Sequence, residues 1–172
     1  MGGTARQLWL LRHADAEPHG ARADAERVLT ARGERQARLA GAALGRAEVG
    51  FDAVLVSPKV RAQQTARLAA EAWGEERGEQ QPVLHTHAPL AGGFYASQAL
   101  DALAGTGADA RVLFVGHEPD LSSVVAELTG ARIDLKKGGL AVVRLEGASG
   151  ELVILLRPRE LALIANLATA DV

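Results

Sequence analysis

The chain has 172 residues, and 48% of them are hydrophobic. We expect one globular domain over residues 1–172, whose core is large enough to be stable without a disulfide or a bound metal. Its formal net charge of −2 gives no sign of a nucleic-acid or membrane partner, and its lack of cysteine excludes disulfides, thiolate nucleophiles and zinc–thiolate sites. No apolar run is long enough to span a bilayer, and Leu8–Leu11 is too short for the apolar region of a signal peptide. We therefore expect a cytoplasmic protein.

The first half of the chain alternates apolar runs with segments of helical pattern. Thr30 has the residue type of a helix N-cap, and Ser57 followed by proline is typical of an N-cap with proline in the first turn. Gly74–Gln81 is polar and contains glycine, which predicts a loop. The predicted strands are Leu8–Leu11, Ala53–Val56 and Val83–His87, and the predicted helices are Ala31–Leu44 and Val60–Trp73.

The second half continues this alternation and ends with two strands and a helix. Pro119 and Asp120 predict a helix start, and Gly130 predicts where that helix stops. A turn at Gly147–Gly150 is expected to join the last two strands. The predicted strands are Arg111–Val115, Leu140–Leu145 and Leu152–Leu156, and the predicted helices are Ala96–Ala104, Leu121–Thr129 and Arg159–Ala168.

The order of these elements predicts the fold class. Strands that alternate with helices are typical of an α/β protein, here a three-layer sandwich with a mostly parallel central sheet flanked by helices. In such folds ligands bind beyond the carboxyl ends of the strands. The polar residues that follow each apolar run are therefore the candidates for chemistry.

Polar residues of one kind follow three of the predicted strands. Arg12 and His13 follow the first strand, Ser57 and Arg61 follow the second, and His117 follows the fourth. A parallel sheet would bring these residues to one edge, where two imidazoles and two guanidiniums are a poor arrangement unless an anion lies between them. Because arginine forks match phosphate oxygens two at a time, the pattern predicts a phosphate site.

His13 is the candidate nucleophile of this site. A neutral imidazole needs no base to activate it, and nearby positive charge lowers its pKa and keeps it unprotonated near neutral pH. Phosphoryl transfer requires mainly alignment and stabilisation of charge on the equatorial oxygens. Arg12, Arg61 and His117 could supply that stabilisation, so we expect neither a metal nor another cofactor.

Three segments of the sequence resemble the signatures of the histidine phosphatase superfamily. The segments read LRHA at 11–14, SPKVRAQQTA at 57–66 and GHEP at 116–119. Their order and the short chain resemble the SixA-type phosphohistidine phosphatases most closely. The resemblance implies the phosphoglycerate mutase-like fold and a metal-independent phosphatase. It implies that His13 is the phosphorylated nucleophile and that Arg12, Arg61 and His117 form the phosphate pocket.

The sequence departs from larger members of this family at two places. Ala14 stands where they carry glycine, and Ala88–Gly93 contains no carboxylate where they carry a glutamate acid. Glu118, next to the second histidine, resembles the proton donor of the acid-phosphatase branch and is the first candidate for the acid, with Asp15 the second. Alternatively, Glu118 merely begins a helix, where the helix dipole favours a carboxylate.

The substrate stays open at this stage. The resemblance favours a protein phosphohistidine, whose imidazole leaving group can be protonated on its own ring and therefore depends less on an acid from the enzyme. A small phosphate ester on the same site is the alternative. A non-catalytic phosphate-binding module is a third interpretation, although the presence of both His13 and His117 argues against it.

Three further features each have two interpretations. Arg61 could instead pair with Asp52 or Glu71 on the surface. His85 and His87 would share one face of a strand and could form half of a metal site, or they could be solvated. Lys136 and Lys137 are typical of an exposed turn, but they could instead attract an acidic phosphoprotein.

Overall fold

The computed structural model describes residues 5–167, and its centre is one six-stranded sheet. The strands are β1 (Gln7–Arg12), β2 (Ala53–Val56), β3 (Leu84–Thr86), β4 (Arg111–Gly116), β5 (Leu140–Glu146) and β6 (Ser149–Leu156). They lie in the spatial order β3-β2-β4-β1-β5-β6. The first four pair in parallel, whereas β5 is antiparallel to both of its neighbours, so five of the six strands run in one direction.

Helices cover both faces of this sheet. Within residues 5–167 they are α1 (Ala31–Arg46), α2 (Val60–Arg77), α3 (Ala96–Leu103), α4 (Asp120–Thr129) and α5 (Pro158–Ala165). None of them combines the length and apolar character that crossing a bilayer requires. Leu8 and Leu10 of β1 pack with α3 and α4, while Trp9 and Leu11 pack with α1, α2 and α5. The predicted three-layer α/β sandwich is confirmed.

The register of the sheet places the polar strand ends side by side. Arg12, the last residue of β1, lies opposite Gly116, the last residue of β4. The pairing continues one residue further, because the N–H of His13 donates to the Gly116 carbonyl at 2.9 Å and the N–H of Ser57 donates to the Val115 carbonyl at 3.0 Å. The carboxyl ends of β1, β2 and β4 therefore meet at one edge, as expected for parallel strands.

The N-terminus of α1 lies against the loop that follows β1. Thr30 caps the helix, as predicted, by accepting a hydrogen bond from the N–H of Gly33 at 3.1 Å. A Cβ atom on residue 33 would lie 1.9 Å from the carbonyl oxygen of Asp15, so only glycine permits this contact. The close approach holds the backbone two residues beyond His13.

The prediction of a loop at Gly74–Gln81 is wrong in its first half, because α2 continues to Arg77. Trp73 anchors this part of the helix, since its indole N–H donates to the Val49 carbonyl at 2.7 Å. The two glutamates that follow Gly74 are exposed, so their polarity reflects the solvent-facing side of a helix. The helix ends at Gly78, whose φ of 61° is a conformation that glycine adopts at little cost.

The other predicted strands and helices differ from the structure only at their ends. The turn predicted at Gly147–Gly150 is shorter than expected, because β6 already begins at Ser149. The last helix begins at Pro158, one residue earlier than predicted, and ends at Ala165. The end predicted for it, Ala168, lies outside the described residues.

Candidate active site

His13 and His117 lie together at the carboxyl edge of the sheet. Their ring centroids are 5.1 Å apart, with an angle of 52° between the ring planes. Both side chains are buried. Arg61 reaches them from the first turn of α2, where its Nε lies 3.3 Å from Nε2 of His13. Residues that are far apart in the sequence therefore form one cluster, as the strand-end pattern predicted.

Two hydrogen-bond partners orient the imidazole of His13, one that can only accept and one that can only donate. Nδ1 lies 2.8 Å from the carbonyl oxygen of Ala14, which can only accept a hydrogen bond. Nε2 lies 3.3 Å from Nε of Arg61, which can only donate. The neutral ring therefore carries its proton on Nδ1 and has its lone pair on Nε2.

The surroundings of His13 also keep its ring neutral. Burial is the largest influence and lowers its pKa from 6.5 to about 4. The carbonyl of Ala14 opposes this effect, and the positive charges of Arg61 and Arg12 add to it. At neutral pH Nε2 is consequently unprotonated, and its lone pair accepts the hydrogen bond from Arg61.

His117 is bound through Ser57. Its Nε2 lies 2.7 Å from the Ser57 hydroxyl, which also accepts a hydrogen bond from the N–H of Lys59 at 3.3 Å. The prediction that Ser57 caps the following helix is wrong, because α2 begins at Val60 with Lys59 in the N-cap position. The hydroxyl instead holds the second histidine of the site.

The second ring nitrogen of His117 is buried and has no hydrogen-bond partner among residues 5–167. Burial, followed by the nearby ring of His13 and the positive charge of Arg61, lowers the pKa of His117 to about 3. An unpartnered buried nitrogen is costly unless a ligand completes its bonding. The ring therefore has one polar atom available for a bound group.

Arg61 is 3% exposed and forms contacts with the loop between β1 and α1. Its Nη1 donates to the carbonyl oxygen of Asp24 at 2.6 Å, and its Nη2 lies 3.3 Å from the Asp24 carboxylate. Lys59 and Arg27 bind the same carboxylate at 2.9 and 2.8 Å. Arg61 thus pairs with Asp24, a carboxylate that is 45% exposed, and not with Asp52 or Glu71, while its own guanidinium is buried beside His13.

Arg12 lies at the end of β1, next to His13. Its Nη1 donates to the carbonyl of Leu135 at 2.8 Å, whereas its buried Nε has no hydrogen-bond partner among residues 5–167. Burial lowers the pKa of this guanidinium, and the carboxylates of Glu118 and Asp134 oppose that shift. A guanidinium remains charged even so, and Arg12 has donors left for an anion.

Glu118 is partly buried directly after His117. Burial raises the pKa of its carboxyl group, while Ser122 and Arg12 act in the opposite direction. Its Oε1 is buried without a hydrogen-bond partner in the described range. These properties suit a carboxyl group that holds a proton more readily than an exposed glutamate does.

Asp15, the second acid candidate, is held by neighbours on both sides. The hydroxyl of Thr30 donates to its carboxylate at 2.8 Å, and the ammonium group of Lys137 lies 3.1 Å from it. Burial raises its pKa, but Thr30 and Lys137 lower it by more. Asp15 is thus a stabilised carboxylate and a poorer proton donor than Glu118.

Sequence reasoning missed the residues that connect the loop after β1 to α2. The hydroxyl of Thr65 is fully buried, donates to the carbonyl of Arg61 at 2.7 Å and accepts from the N–H of Ala14 at 3.0 Å. The side chain of Gln64 accepts from the N–H of Leu29 at 2.8 Å. Both residues belong to the segment 57–66 that resembles a family signature, but only the fold shows which atoms they join.

His85 and His87 have different surroundings. His85 is exposed, whereas the ring of His87 packs edge-on against Phe94 with centroids 6.1 Å apart. Burial lowers the pKa of His87. Among residues 5–167 there is no group of three or more histidine, aspartate or glutamate side chains that could hold a metal ion.

The first half of the chain matches a known protein family. The sequence model of the histidine phosphatase superfamily (branch 1) matches residues 8–85. This range includes Arg12, His13 and Arg61, and His117 follows it.

Individual relatives extend the similarity over most of the chain. An uncharacterized protein of Picosynechococcus sp. is 32% identical over 164 residues, which cover 89% of this chain and 97% of that protein. The phosphohistidine phosphatase SixA homolog of Haemophilus influenzae is 32% identical over 130 residues, covering 73% and 78% respectively. The solved structure of the protein histidine phosphatase SixA complexed with tungstate has a TM-score of 0.75 and 28% identity, covering 90% of this chain and 99% of that one.

Proposed function

The chain belongs to the histidine phosphatase superfamily, and we propose that it is a phosphohistidine phosphatase that forms a covalent intermediate on His13. It is a phosphatase by its family, and the similarity to a phosphohistidine phosphatase homolog supports a protein phosphohistidine as the substrate. We assign the activity to one domain formed by the sheet and both helix layers, since β1, β4 and α2 all contribute to the site.

The observation that carries this proposal is the orientation of His13. Its Nδ1 is committed to the carbonyl of Ala14, and its Nε2 lone pair meets Arg61, a residue suited to binding phosphate oxygens. Its pKa of about 4 keeps that lone pair unprotonated at neutral pH. A neutral imidazole whose free nitrogen lies among cations is arranged for attack on a phosphoryl group.

In the first step, the Nε2 lone pair of His13 attacks phosphorus, and a P–N bond forms as the bond to the leaving group breaks. The electron pair of the broken bond goes to the leaving group. Arg12, Arg61 and His117 stabilise the charge on the equatorial oxygens of the transferring group. These three side chains supply the stabilisation that a metal ion provides in other phosphatases, so we propose a metal-independent reaction.

In the second step, a water oxygen attacks the phosphorus of phosphorylated His13. A P–O bond forms, the P–N bond breaks, and its electron pair returns to Nε2. The proton released by water is taken up by the departing phosphate or by the Glu118 carboxylate. Inorganic phosphate then leaves, and His13 is again neutral.

The leaving group supports phosphohistidine as the substrate. An imidazole whose second ring nitrogen is protonated leaves as a neutral molecule, so it needs no acid from the enzyme. An alkyl phosphate must instead obtain a proton as its alkoxide forms. In this chain the candidate acid Glu118 has a raised pKa, but Ala88–Gly93 supplies no carboxylate, so the easier leaving group fits the site better.

Trapping the intermediate tests the proposal. The wild-type protein is mixed briefly with radiolabelled phosphohistidine peptide, quenched without acid because phosphohistidine is acid-labile, and digested for mass spectrometry. We expect the label on His13. The same peptide, a phosphotyrosine peptide and small phosphate esters are compared at equal concentration to rank the substrates by kcat/KM.

Two variants complete this test. His13→Ala should bind phosphate, but it should neither accept label nor turn over substrate. His85→Ala, which removes an exposed histidine, should accept label and turn over substrate at the wild-type rate. Label on a serine or an aspartate, or normal turnover by His13→Ala, would refute the covalent intermediate. A higher kcat/KM for a small ester than for the phosphohistidine peptide would refute the proposed substrate.

A further inference from the structure

A groove of about 520 Å³ begins at Arg12, beside the histidine pair, and its wall is dominated by positive charge. Its positively charged residues, here called the cationic groove, are Arg12, Arg32, Lys136, Lys137, Arg157 and Arg159. They come from the end of β1, the start of α1, the turn before β5 and the start of α5. Arg12 is thus shared between the proposed phosphate pocket and this groove.

The charge of the cationic groove contrasts with the rest of the molecule. The chain as a whole has 19 lysines and arginines and a formal net charge of −2. Six of those cations line one groove, so their concentration there is not a consequence of a basic composition. A local field of this kind attracts anionic partners and orients them as they approach.

Three of these six cations can exchange their present partners for others. Lys137 pairs with Asp15, Lys136 with Asp134 and Arg159 with Glu160. The lysine side chains are 43% and 48% exposed and that of Arg159 is 80% exposed, so each pair contributes little to stability. An incoming carboxylate can therefore replace the internal one at small cost.

Two arginines of the groove lie near carboxylates but form no ion pair with them. Arg32 and Arg157 are exposed and form no salt bridge within the described range 5–167. Together with the paired cations they form a charged surface spread over several chain segments. A compact pocket for one small second phosphate would need buried donors that converge on a point, whereas dispersed exposed cations fit an extended row of carboxylates.

We propose that the cationic groove binds an acidic protein segment next to the phosphorylated residue while that residue occupies the pocket at His13. This inference rests on the proposed function and specifies its substrate: a phosphorylated protein with aspartates and glutamates beside the modified site. It assigns Lys136 and Lys137 to docking, the second of the two interpretations that the sequence left open.

Peptide kinetics at low ionic strength test the proposal. Two peptides carry the same phosphohistidine, one flanked by aspartate and glutamate and the other by asparagine and glutamine. We expect the wild-type protein to prefer the acidic peptide by about fivefold in kcat/KM, the effect of two exposed ion pairs, and to lose the preference as salt is added. The double variant Arg32→Gln/Arg157→Gln should reduce the preference to about twofold or less, because four cations of the groove remain, and should change turnover of the neutral peptide and of p-nitrophenyl phosphate less than twofold.

The matched control is Arg67→Gln/Arg144→Gln, which removes the same charge from exposed positions on α2 and β5 and should retain the preference. The proposal is overturned if the wild type hydrolyses both peptides equally well, or if both double variants lose the preference. It is also overturned if Arg32→Gln/Arg157→Gln slows a small bisphosphate ester and leaves the acidic peptide unaffected.

A binding measurement separates this inference from the proposed function. Fluorescence anisotropy reports binding of the acidic peptide without its phosphate, so it does not depend on turnover. If no substrate is hydrolysed, the proposed function fails. The groove is still supported if the acidic peptide binds more tightly than the neutral one and if Arg32→Gln/Arg157→Gln reduces that difference. Equal binding of the two peptides overturns it.

Discussion

Arg61 binds Asp24 through both of its terminal nitrogens, with Nη1 at 2.6 Å from the Asp24 carbonyl oxygen and Nη2 at 3.3 Å from the carboxylate. Hydrogen bonds from Lys59 and Arg27 hold the pKa of this carboxyl group well below its usual range, so it is ionised at any pH of interest. The backbone carbonyl and the carboxylate of Asp24 thus occupy the two terminal nitrogens that, in the proposed reaction, hold phosphate oxygens. The carboxylate compensates the buried charge of Arg61 until a phosphoryl group arrives.

Phosphate must compete with this carboxylate, so Asp24→Asn should bind phosphate more tightly. Asparagine keeps the size of the side chain and the backbone carbonyl, and removes the negative charge that repels the ligand. The loss of about 1 kcal/mol of repulsion lowers the inhibition constant for inorganic phosphate about fivefold. This inhibition constant is measured from the competitive inhibition of p-nitrophenyl phosphate hydrolysis by inorganic phosphate.

Glu26→Gln is the control for Asp24→Asn, because it removes the same charge from an exposed position in the same short turn. Its inhibition constant should stay near that of the wild type. Weaker phosphate binding in Asp24→Asn, with a lower kcat, would mean that Asp24 positions Arg61 for the reaction and does not compete with the ligand.

Replacing Arg61, the partner of Asp24, tests its contribution to the reaction. Arg61→Ala should lower kcat by about 100-fold or more, since one preorganised contact to the transferring group is worth about 3 kcal/mol. Arg61→Lys should recover little, because one ammonium group cannot replace a two-point fork. Single-turnover kinetics separate the chemical step from phosphate binding, and full recovery by lysine would show that only general charge is needed.

The position of the site was predictable because a parallel sheet converts sequence order into spatial proximity. His13, Arg61 and His117 each follow an apolar strand, and the carboxyl ends of such strands must meet at one edge. The catalytic roles of these residues stay predictions.

The contacts that tune the site were not predictable. Ser57 precedes proline as a helix cap would, and nothing in its local sequence indicates that its hydroxyl binds His117 at 2.7 Å. Asp24 lies 37 residues from Arg61, in a loop whose path is fixed by tertiary contacts such as that of Gln64 with Leu29. Local patterns identify strand ends, but they do not show where a long loop returns.

Acid should destabilise the fold through the two buried histidines. The pKa values of His13 and His117 in the folded protein, about 4 and about 3, lie below the ordinary value of 6.5. Between pH 6.5 and pH 4 the unfolded chain therefore binds more protons than the folded one, and the free energy of unfolding falls as pH falls. At pH 5 each histidine should account for a loss of about 2 kcal/mol.

Urea denaturation in phosphate-free buffer at pH 7 and pH 5 measures this effect. Carboxylates contribute equally in wild type and variant, so the comparison isolates the histidine. His13→Gln should lose about 2 kcal/mol less stability on acidification than the wild type. If wild type and His13→Gln lose the same free energy of unfolding between pH 7 and pH 5, His13 is protonated near its ordinary pKa in the folded protein. Its surroundings would then not lower that pKa.

The charge of the transferring group should be stabilised by side chains and not by a metal. Turnover should survive incubation with EDTA, because Arg12, Arg61 and His117 supply the positive and polar groups around the phosphate. Vanadate and tungstate, which are oxyanions like phosphate, should inhibit competitively. Activity that is lost in EDTA and restored by a divalent ion would contradict the metal-independent reaction.

Glu118 should act as the general acid for leaving groups that need a proton. It follows His117, burial raises its pKa, and its Oε1 lacks a partner in the described range, which suits a proton donor. A general acid contributes roughly 10²–10⁴-fold, and only where the leaving group needs its proton. Glu118→Gln should therefore slow hydrolysis of an alkyl phosphate by about 100-fold or more and barely slow p-nitrophenyl phosphate, whose leaving anion is stable. Asp15→Asn, the matched variant of the second candidate, should show no such dependence on the leaving group, since Thr30 and Lys137 hold its carboxylate. If Glu118→Gln slows both esters by the same factor, Glu118 positions His117 or α4, and the proton comes from water or another side chain.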